Sequence, residues 1–246
     1  MTGGGFTADW PAPAGVRTWQ TTRVGGVSSG SYSSMNLALH VGDDPQAVAR
    51  NRKCLESALS LPGEPCWLDQ VHGHRILRPD HGETGPADGA ITSVMGKVLV
   101  VLTADCLPVL LATKDGDVIG IVHAGWRGLG SGVITAAIDA FGCEPSEILA
   151  WLGPAIGQDA FEVGNEVRAA FVGADPEAAE EFLRNSRGRW QADLHRLARR
   201  ALGRAGVDDI FGRESCSFDD AARYFSHRRE SPCGRMASLI WREAQV

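Results

Sequence analysis

The chain has no apolar run long enough to cross a bilayer. Its best stretch, Val98 to Val109, is broken by Thr103, Asp105 and Pro108, and a membrane helix needs about 20 consecutive apolar residues. It also lacks a CxxC pair. The six cysteines (Cys54, Cys66, Cys106, Cys143, Cys216 and Cys233) are scattered, which excludes a compact finger or a small disulfide scaffold and predicts reduced thiols. An excess of positive charge is absent as well. The formal net charge is -6, and lysine occurs only at Lys53, Lys97 and Lys114, so the concentrated charge that nucleic-acid binding requires is missing. The opening MTGGGFTADWPAPAG has neither a basic n-region nor an apolar h-region. That predicts no secretory signal and a cytoplasmic location. No internal repeat and no low-complexity tract is present.

What is present is the balance of a globular protein, with 43% apolar and 22% charged residues in 246. The skew of basic residues toward arginine suits either anion recognition or a GC-rich genome. Residues 1–15 read as a flexible N-terminus. The Gly/Ser-rich stretch from Thr21 to Gly42 carries anchors at Tyr32, Met35, Leu37 and Leu39, so it reads as a structured loop. Asp44-Pro45 starts a helix that stops near Leu61-Pro62-Gly63. Lys97–Thr103, Leu107–Thr113 and Asp117–His123 are nearly continuous β-branched and aliphatic runs, the pattern of strands buried on both faces. Lys114-Asp115-Gly116-Asp117 marks a hairpin turn between the last two. A helix follows over Val133–Phe141, a buried strand over Ile148–Leu152, and helices around Glu162–Phe171 and Pro176–Leu183. A longer helix runs from Asp193 to Ala205, with Leu194, Leu197, Ala198, Ala201 and Leu202 on one face. The interleaving predicts a mixed α/β fold, one domain over residues 1–246.

Three borderline or soft metal ligands fall at special places. His72 lies in DQVHGH, Cys106 lies in LTADCLPV between two buried strands, and His123 ends a third strand before a glycine-rich turn. Rigid scaffolds present functional groups at such strand ends. Three protein ligands of this type leave a fourth position open, which is the catalytic pattern for zinc. The same residues admit two other readings. Cys106 can be a nucleophile paired with His123 and oriented by Asp105, or the histidine and cysteine can be ordinary core residues. His40, His74, His81, His195 and His227 read as surface residues. HAGWRG (123–128) combines an aromatic plane with Arg127, which suits phosphate or carboxylate, or is a packed strand-to-helix turn. Arg228-Arg229 in YFSHRRE is a second anion site or a solvated loop.

Taken together, TTRVGGVSSGSYSSMNL, GDDP, DQVHG, ADGAIT, TADCLPVLL, HAGWRG, GPAIG, FEVG, FSHRR and GRMASLIW resemble the bacterial laccase-domain family. Its members are called polyphenol oxidase, purine nucleoside phosphorylase or peptidoglycan editing factor. The resemblance runs from Thr21 to Trp241, with the motifs in the family's order. It implies one domain of packed mixed β-sheets covered by helices. It also implies His72, Cys106 and His123 as metal ligands and zinc as the ion. The implied chemistry is phosphorolysis of adenosine, inosine and methylthioadenosine, with purine nucleoside and phosphate as the small-molecule partners, and deamination of adenosine.

On that resemblance Asn36 and Arg52 are expected to line the nucleoside and phosphate pocket. Arg127 and Arg228 are further phosphate ligands, and Gln70 orients substrate beside His72. Deamination needs a carboxylate that shuttles protons, for which Asp105 and Asp88 are the candidates. Two departures stand out: YFSHRR replaces the more usual FFSYRR, and Met35 stands where another apolar residue is commoner.

Three other activities belong to the same resemblance. One is a cytosolic amidase editing peptidoglycan precursors. A second is a metal-binding partner of cell-division proteins with no catalysis. The third is a copper polyphenol oxidase, which fits poorly. Multicopper oxidases need about ten histidines in paired clusters, whereas this chain has seven, with one close pair. Copper(II) binding at the zinc ligands, with weak oxidase activity, is expected only with added copper.

Overall fold

Consecutive residues of the buried strands point into different cores, which is why these segments are apolar at every position. In a computed structural model describing residues 4–212 and 214–243, the first half contains β1 (Gly5–Phe6), β2 (Val16–Thr21), α1 (Pro45–Leu59), β3 (Pro65–Trp67), β4 (Ile76–Leu77), β5 (Gly89–Thr92), β6 (Val98–Thr103), β7 (Leu107–Thr113) and β8 (Ile119–Ala124). The second half contains α2 (Trp126–Gly130), α3 (Val133–Phe141), β9 (Ile148–Leu152), β10 (Glu162–Val163), α4 (Asn165–Val172), β11 (Phe182–Arg184), β12 (Trp190–Ala192), α5 (Leu194–Arg204), β13 (Asp209–Phe211) and β14 (Met236–Arg242). A five-stranded sheet has the order β1-β2-β14-β6-β3, and a six-stranded sheet the order β13-β9-β7-β8-β5-β4. A small third sheet is ordered β10-β12-β11.

The two large sheets pack face to face. Leu99, Val101 and Ile240 of one interdigitate with Leu110, Ile119, Ile121 and Trp151 of the other. The alternate residues Val98, Val100 and Leu102 face outward to Met35, Leu37 and Leu55, which cover the first sheet. Val109, Leu111, Val122 and Ala150 face the opposite way, toward α3 and α5. The order of layers is helix, sheet, sheet, helices: a mixed α/β domain, as the sequence implies.

Local signals account for the element ends. Asp44 caps α1 by accepting from the Gln46 N–H, Pro45 takes the first helical position, and Ser60 ends the helix in the left-handed region. The β7–β8 turn places Gly116 at φ 76°, where a side chain would be strained. Asp193 caps α5 through the Arg196 N–H.

Four expectations need correction. The segment read as flexible over 1–15 is packed from Gly4 onward: Gly5 and Phe6 pair with Thr21 and Gln20, and Asp9 accepts a hydrogen bond from Trp151 Nε1. Residues 1–3 lie outside the described residues. The helix around Glu162–Phe171 begins only at Asn165, because Glu162–Val163 pairs with β12. Pro176–Leu183 is not an α-helix but a 3-10 segment over Pro176–Glu181 running into β11. His195 is buried rather than superficial, with Nε2 bonded to the Gly153 carbonyl. Among the described residues no helix is long and apolar enough to cross a membrane.

Four connections cross between the large sheets, β3 to β4, β5 to β6, β6 to β7 and β13 to β14, and two of them carry candidate ligands. The chain leaves the five-stranded sheet at Thr103 and enters the six-stranded sheet at Leu107, with only Ala104, Asp105 and Cys106 between. The loop from β3 to β4, which carries His72, makes the same crossing.

Candidate metal centre

The two ligand-bearing crossings bring two of the three residues to one edge of the sandwich, and β8 brings the third. At the β6–β7 crossing Asp105 adopts φ 89° and His72, on the β3–β4 crossing, φ 59°, both rare for residues with a side chain. His123 sits on β8 opposite Pro108, one register step from the start of β7. One donor atom from each of His72, Cys106 and His123 lies within 4.8 Å of the others. Cys106 Sγ stands 3.8 Å from His72 Nε2, and the two imidazole rings meet edge to face. Burial is graded across the trio: His123 is buried, Cys106 half-buried and His72 exposed.

Asp88, fully buried just before β5, organises this arrangement. Its Oδ1 accepts from the His72 N–H at 2.9 Å and from His123 Nδ1 at 2.8 Å. Its Oδ2 accepts from the Gly73 N–H at 2.6 Å and the Val71 N–H at 3.2 Å. A carboxylate is acceptor-only, so the proton His123 keeps as a metal ligand sits on Nδ1, and Nε2 is the nitrogen left to bind an ion. Burial pushes the Asp88 carboxyl up, but the bonds from His123, Gly73 and Val71 outweigh it and hold the group below the usual carboxylate range.

The glycines of HAGWRG allow the close approach. A β-carbon at Gly125 would stand 2.9 Å from Cys106 Sγ, and one at Gly128 would stand 2.7 Å from the Gly73 carbonyl oxygen.

The donor set fits a borderline metal ion. Two imidazoles and one thiolate are ligands that zinc and copper accept. In the metal-free protein burial opposes the Cys106 thiolate, yet His123 and His72 outweigh burial and lower the thiol to about 6. Burial likewise opposes the His123 imidazolium, and Cys106 and Asp88 outweigh it, raising the group to about 9. The thiol is therefore already disposed to be the thiolate that a metal needs. Among the described residues this is the sole cluster of histidine, cysteine and carboxylate donors with ligand spacing.

His72 and Cys106 open onto a cavity of about 350 Å³, whose walls include Trp126, Phe161 and Ile156 on the apolar side and Arg127, His227 and Arg228 on the polar side. A second cavity of about 350 Å³ adjoins it and shares Trp126, Arg127, Phe161 and Arg228. The Arg127 guanidinium lies over the Trp126 ring, and Arg228 lies over Phe161 while donating to the Glu162 carbonyl. Among the described residues no carboxylate pairs with either guanidinium.

The remaining residues singled out by the sequence lie elsewhere or act differently. Asn36 is fully buried, bonded to Ala38, Asp43 and the Arg235 N–H, and does not line the cavity. Arg52 stacks on Trp67 at 3.8 Å and donates twice to the Leu37 carbonyl, so it holds a loop on the far side of the five-stranded sheet. Gln70 clamps the Leu102 backbone, donating to its carbonyl and accepting from its N–H, which fixes the His72 loop against β6. Asp88 has no exposed surface from which to shuttle protons. Asp105 reaches the cavity, but both its oxygens are engaged, one by Ser217 Oγ and one by the Arg228 N–H, each at 2.7 Å. Arg229 donates to the carbonyls of Ser217, Phe218 and Tyr224, an internal brace rather than an anion site. Sequence reasoning missed Phe161 on the wall and Ser217 behind Asp105. Phe161 opens the FEVG motif but carries no reactive group, Ser217 stands in none of the motifs, and only the chain's long-range folding brings them in.

Comparison with known proteins gives the family and the fold. The family model described as multi-copper polyphenol oxidoreductase laccase matches residues 17–243. A purine nucleoside phosphorylase of Pseudomonas aeruginosa is 48% identical over 237 residues, covering 96% of this chain and 97% of that protein. Purine nucleoside phosphorylase YfiH of Escherichia coli is 46% identical over 235 residues, covering 94% and 96%. Among solved structures, a Neisseria meningitidis protein superposes with a TM-score of 0.93 at 45% identity over 98% of this chain and 99% of that one. YlmD of Geobacillus stearothermophilus gives 0.91 at 31% identity, covering 98% and 97%. The chain belongs to the laccase-like family that these proteins share, the one described as multi-copper polyphenol oxidoreductase laccase.

Proposed function

We propose that the chain is a cytosolic, zinc-dependent purine nucleoside enzyme that phosphorolyses adenosine, inosine and methylthioadenosine and deaminates adenosine. The observation that carries this reading is the juxtaposition of the His72–Cys106–His123 trio with a cavity walled by two aromatic planes and two arginines whose guanidinium groups have no carboxylate partner among the described residues. The relatives named purine nucleoside phosphorylase support it.

In phosphorolysis a phosphate oxygen attacks the anomeric carbon, the glycosidic carbon–nitrogen bond breaks, and its electron pair leaves with the purine. When bound, the metal ion held by His72, Cys106 and His123 supplies Lewis-acid stabilisation of the charge developing on the base. Trp126 and Phe161 offer faces for the purine. Arg127 and Arg228 hold phosphate, each presenting a planar fork of donors. Asp105, with both oxygens engaged, positions the Arg228 backbone instead of moving protons. His227 is then the titratable side chain of the wall left to carry a proton during deamination.

The test is chromatographic. Zinc-loaded protein is incubated with adenosine, with and without phosphate, beside Cys106→Ala. Phosphate-dependent adenine, or inosine in either condition, that vanishes in the variant supports the reading; absence of both products overturns it. One observation favours a second reading, an amidase acting on peptidoglycan precursors: the adjoining cavity lengthens the site and adds Arg189. Copper oxidase chemistry has less support, since three ligands in one cluster do not supply the several copper sites of a multicopper enzyme.

A further inference from the structure

We propose that Asp88 is the positioning residue that makes His72 and His123 a single preassembled ligand pair, and that it determines how tightly the protein retains its metal. The inference rests on the metal reading of the trio, but concerns a residue that never contacts the ion.

Asp88 receives four hydrogen bonds, two at each oxygen, and every partner is a donor: His123 Nδ1 and the His72 N–H at Oδ1, the Gly73 and Val71 N–H groups at Oδ2. The Asp88 carbonyl also accepts from the His123 N–H at 2.7 Å, so the same residue fixes both the backbone and the ring of that ligand. Three successive amides of the His72 loop converge on the carboxylate while His72 holds φ 59°. That anchor favours the left-handed turn that aims the ring at Cys106. One buried anion thus sets the tautomer of the buried ligand and the path of the exposed one. Outer partners of this kind typically change metal affinity about 10- to 100-fold.

Asparagine at this position has nearly the same shape but cannot replace the carboxylate. Its amide nitrogen is a donor and must face either His123 and the His72 N–H or the Gly73 and Val71 N–H groups. In the first case it either opposes Nδ1–H or forces the proton onto Nε2, the atom that should bind metal. In the second, two N–H groups lose their acceptor.

The test is Asp88→Asn, titrated with zinc against a chromophoric chelator and loaded with cobalt(II) to record the thiolate-to-cobalt band. Expected are a far-ultraviolet circular dichroism spectrum like that of wild type, zinc affinity weaker by about 10- to 100-fold, and a shifted or weakened cobalt band. Affinity within twofold of wild type with an unchanged cobalt spectrum overturns the proposal. A wild-type protein that binds no stoichiometric zinc overturns the metal reading itself, and this inference with it. If Asp88→Asn does not fold, nitrogen-detected NMR of the zinc-loaded wild type decides. A proton on His123 Nδ1 supports the proposal, and a proton on Nε2 refutes it.

Discussion

Gly125 and Cys106 are so close that the cysteine sulfur occupies the space a β-carbon at 125 would need, 2.9 Å away; His72 Cδ2 would be 3.0 Å away. The Gly125 backbone is at φ -68°, a value any residue adopts. The demand for glycine is therefore one of space alone. Gly125→Ala should push Cys106 or His72 out of line, weaken metal binding, and cost about 1–3 kcal/mol as an overpacked contact does. Metal content by mass spectrometry and thermal unfolding would check this; stoichiometric metal at unchanged affinity would contradict it.

The trio should respond unevenly to truncation. His72→Ala, Cys106→Ala and His123→Ala are each expected to lose bound zinc. His72 is exposed, so its variant should otherwise fold like wild type. His123→Ala additionally leaves the buried Asp88 short of a donor, at a cost of about 1–3 kcal/mol. Chemical denaturation of the metal-free variants would resolve the difference, and equal stabilities would speak against the Asp88–His123 bond.

Metal-free protein offers a pH experiment. The Cys106 thiol is lowered to about 6, whereas burial pushes Cys66, Cys216 and Cys233 up. An acid with a lowered pKa is ionised above that value, so Cys106 should be mostly thiolate at neutral pH and lose that form as pH falls through about 6. Iodoacetamide labelling followed by peptide mass spectrometry should show Cys106 reacting first near pH 7, with a midpoint near 6. A midpoint in the ordinary thiol range would remove the His123–thiolate pairing.

Arg127 has a different signature. If it holds phosphate, Arg127→Ala should raise the KM for phosphate about tenfold or more, the loss of roughly 1.5–3 kcal/mol typical of a hydrogen bond to a charged group, while the KM for nucleoside barely moves. Equal changes in both would assign Arg127 to holding Trp126 instead.

Much of the scaffold was legible because burial on both faces leaves an unbroken apolar record. Leu107–Thr113, Val133–Phe141 and Ile148–Leu152 have in the structure the bounds their sequence suggests. The failures are short elements whose pairing is remote. Nothing local in Glu162–Val163 announces pairing with β12, and Gly5–Phe6 becomes a strand only beside Thr21 and Gln20. At the site, His72, Cys106 and His123 were visible as ligand types at strand boundaries, and structure brought them together. Asn36, Arg52 and Gln70 were not separable from substrate ligands, because polar side chains that bind backbone carbonyls look the same in sequence as those that bind substrate. Asp88 looked like a proton carrier, and only its complete burial and four donors show otherwise.

The two ligand-bearing crossings between the large sheets turn the ligand trio into a gauge of how those sheets are aligned. His72 and Cys106 each ride on a link anchored at one end in either layer, whereas His123 belongs to the six-stranded layer alone. Sliding one layer over the other by a single residue, about 3.3 Å, is comparable to the whole 4.8 Å span of the donor set. The grip on an ion is therefore sensitive to side chains that never approach it. Leu99, Leu110 and Trp151, deep between the layers, are where a change of shape would be read out as a change in metal occupancy.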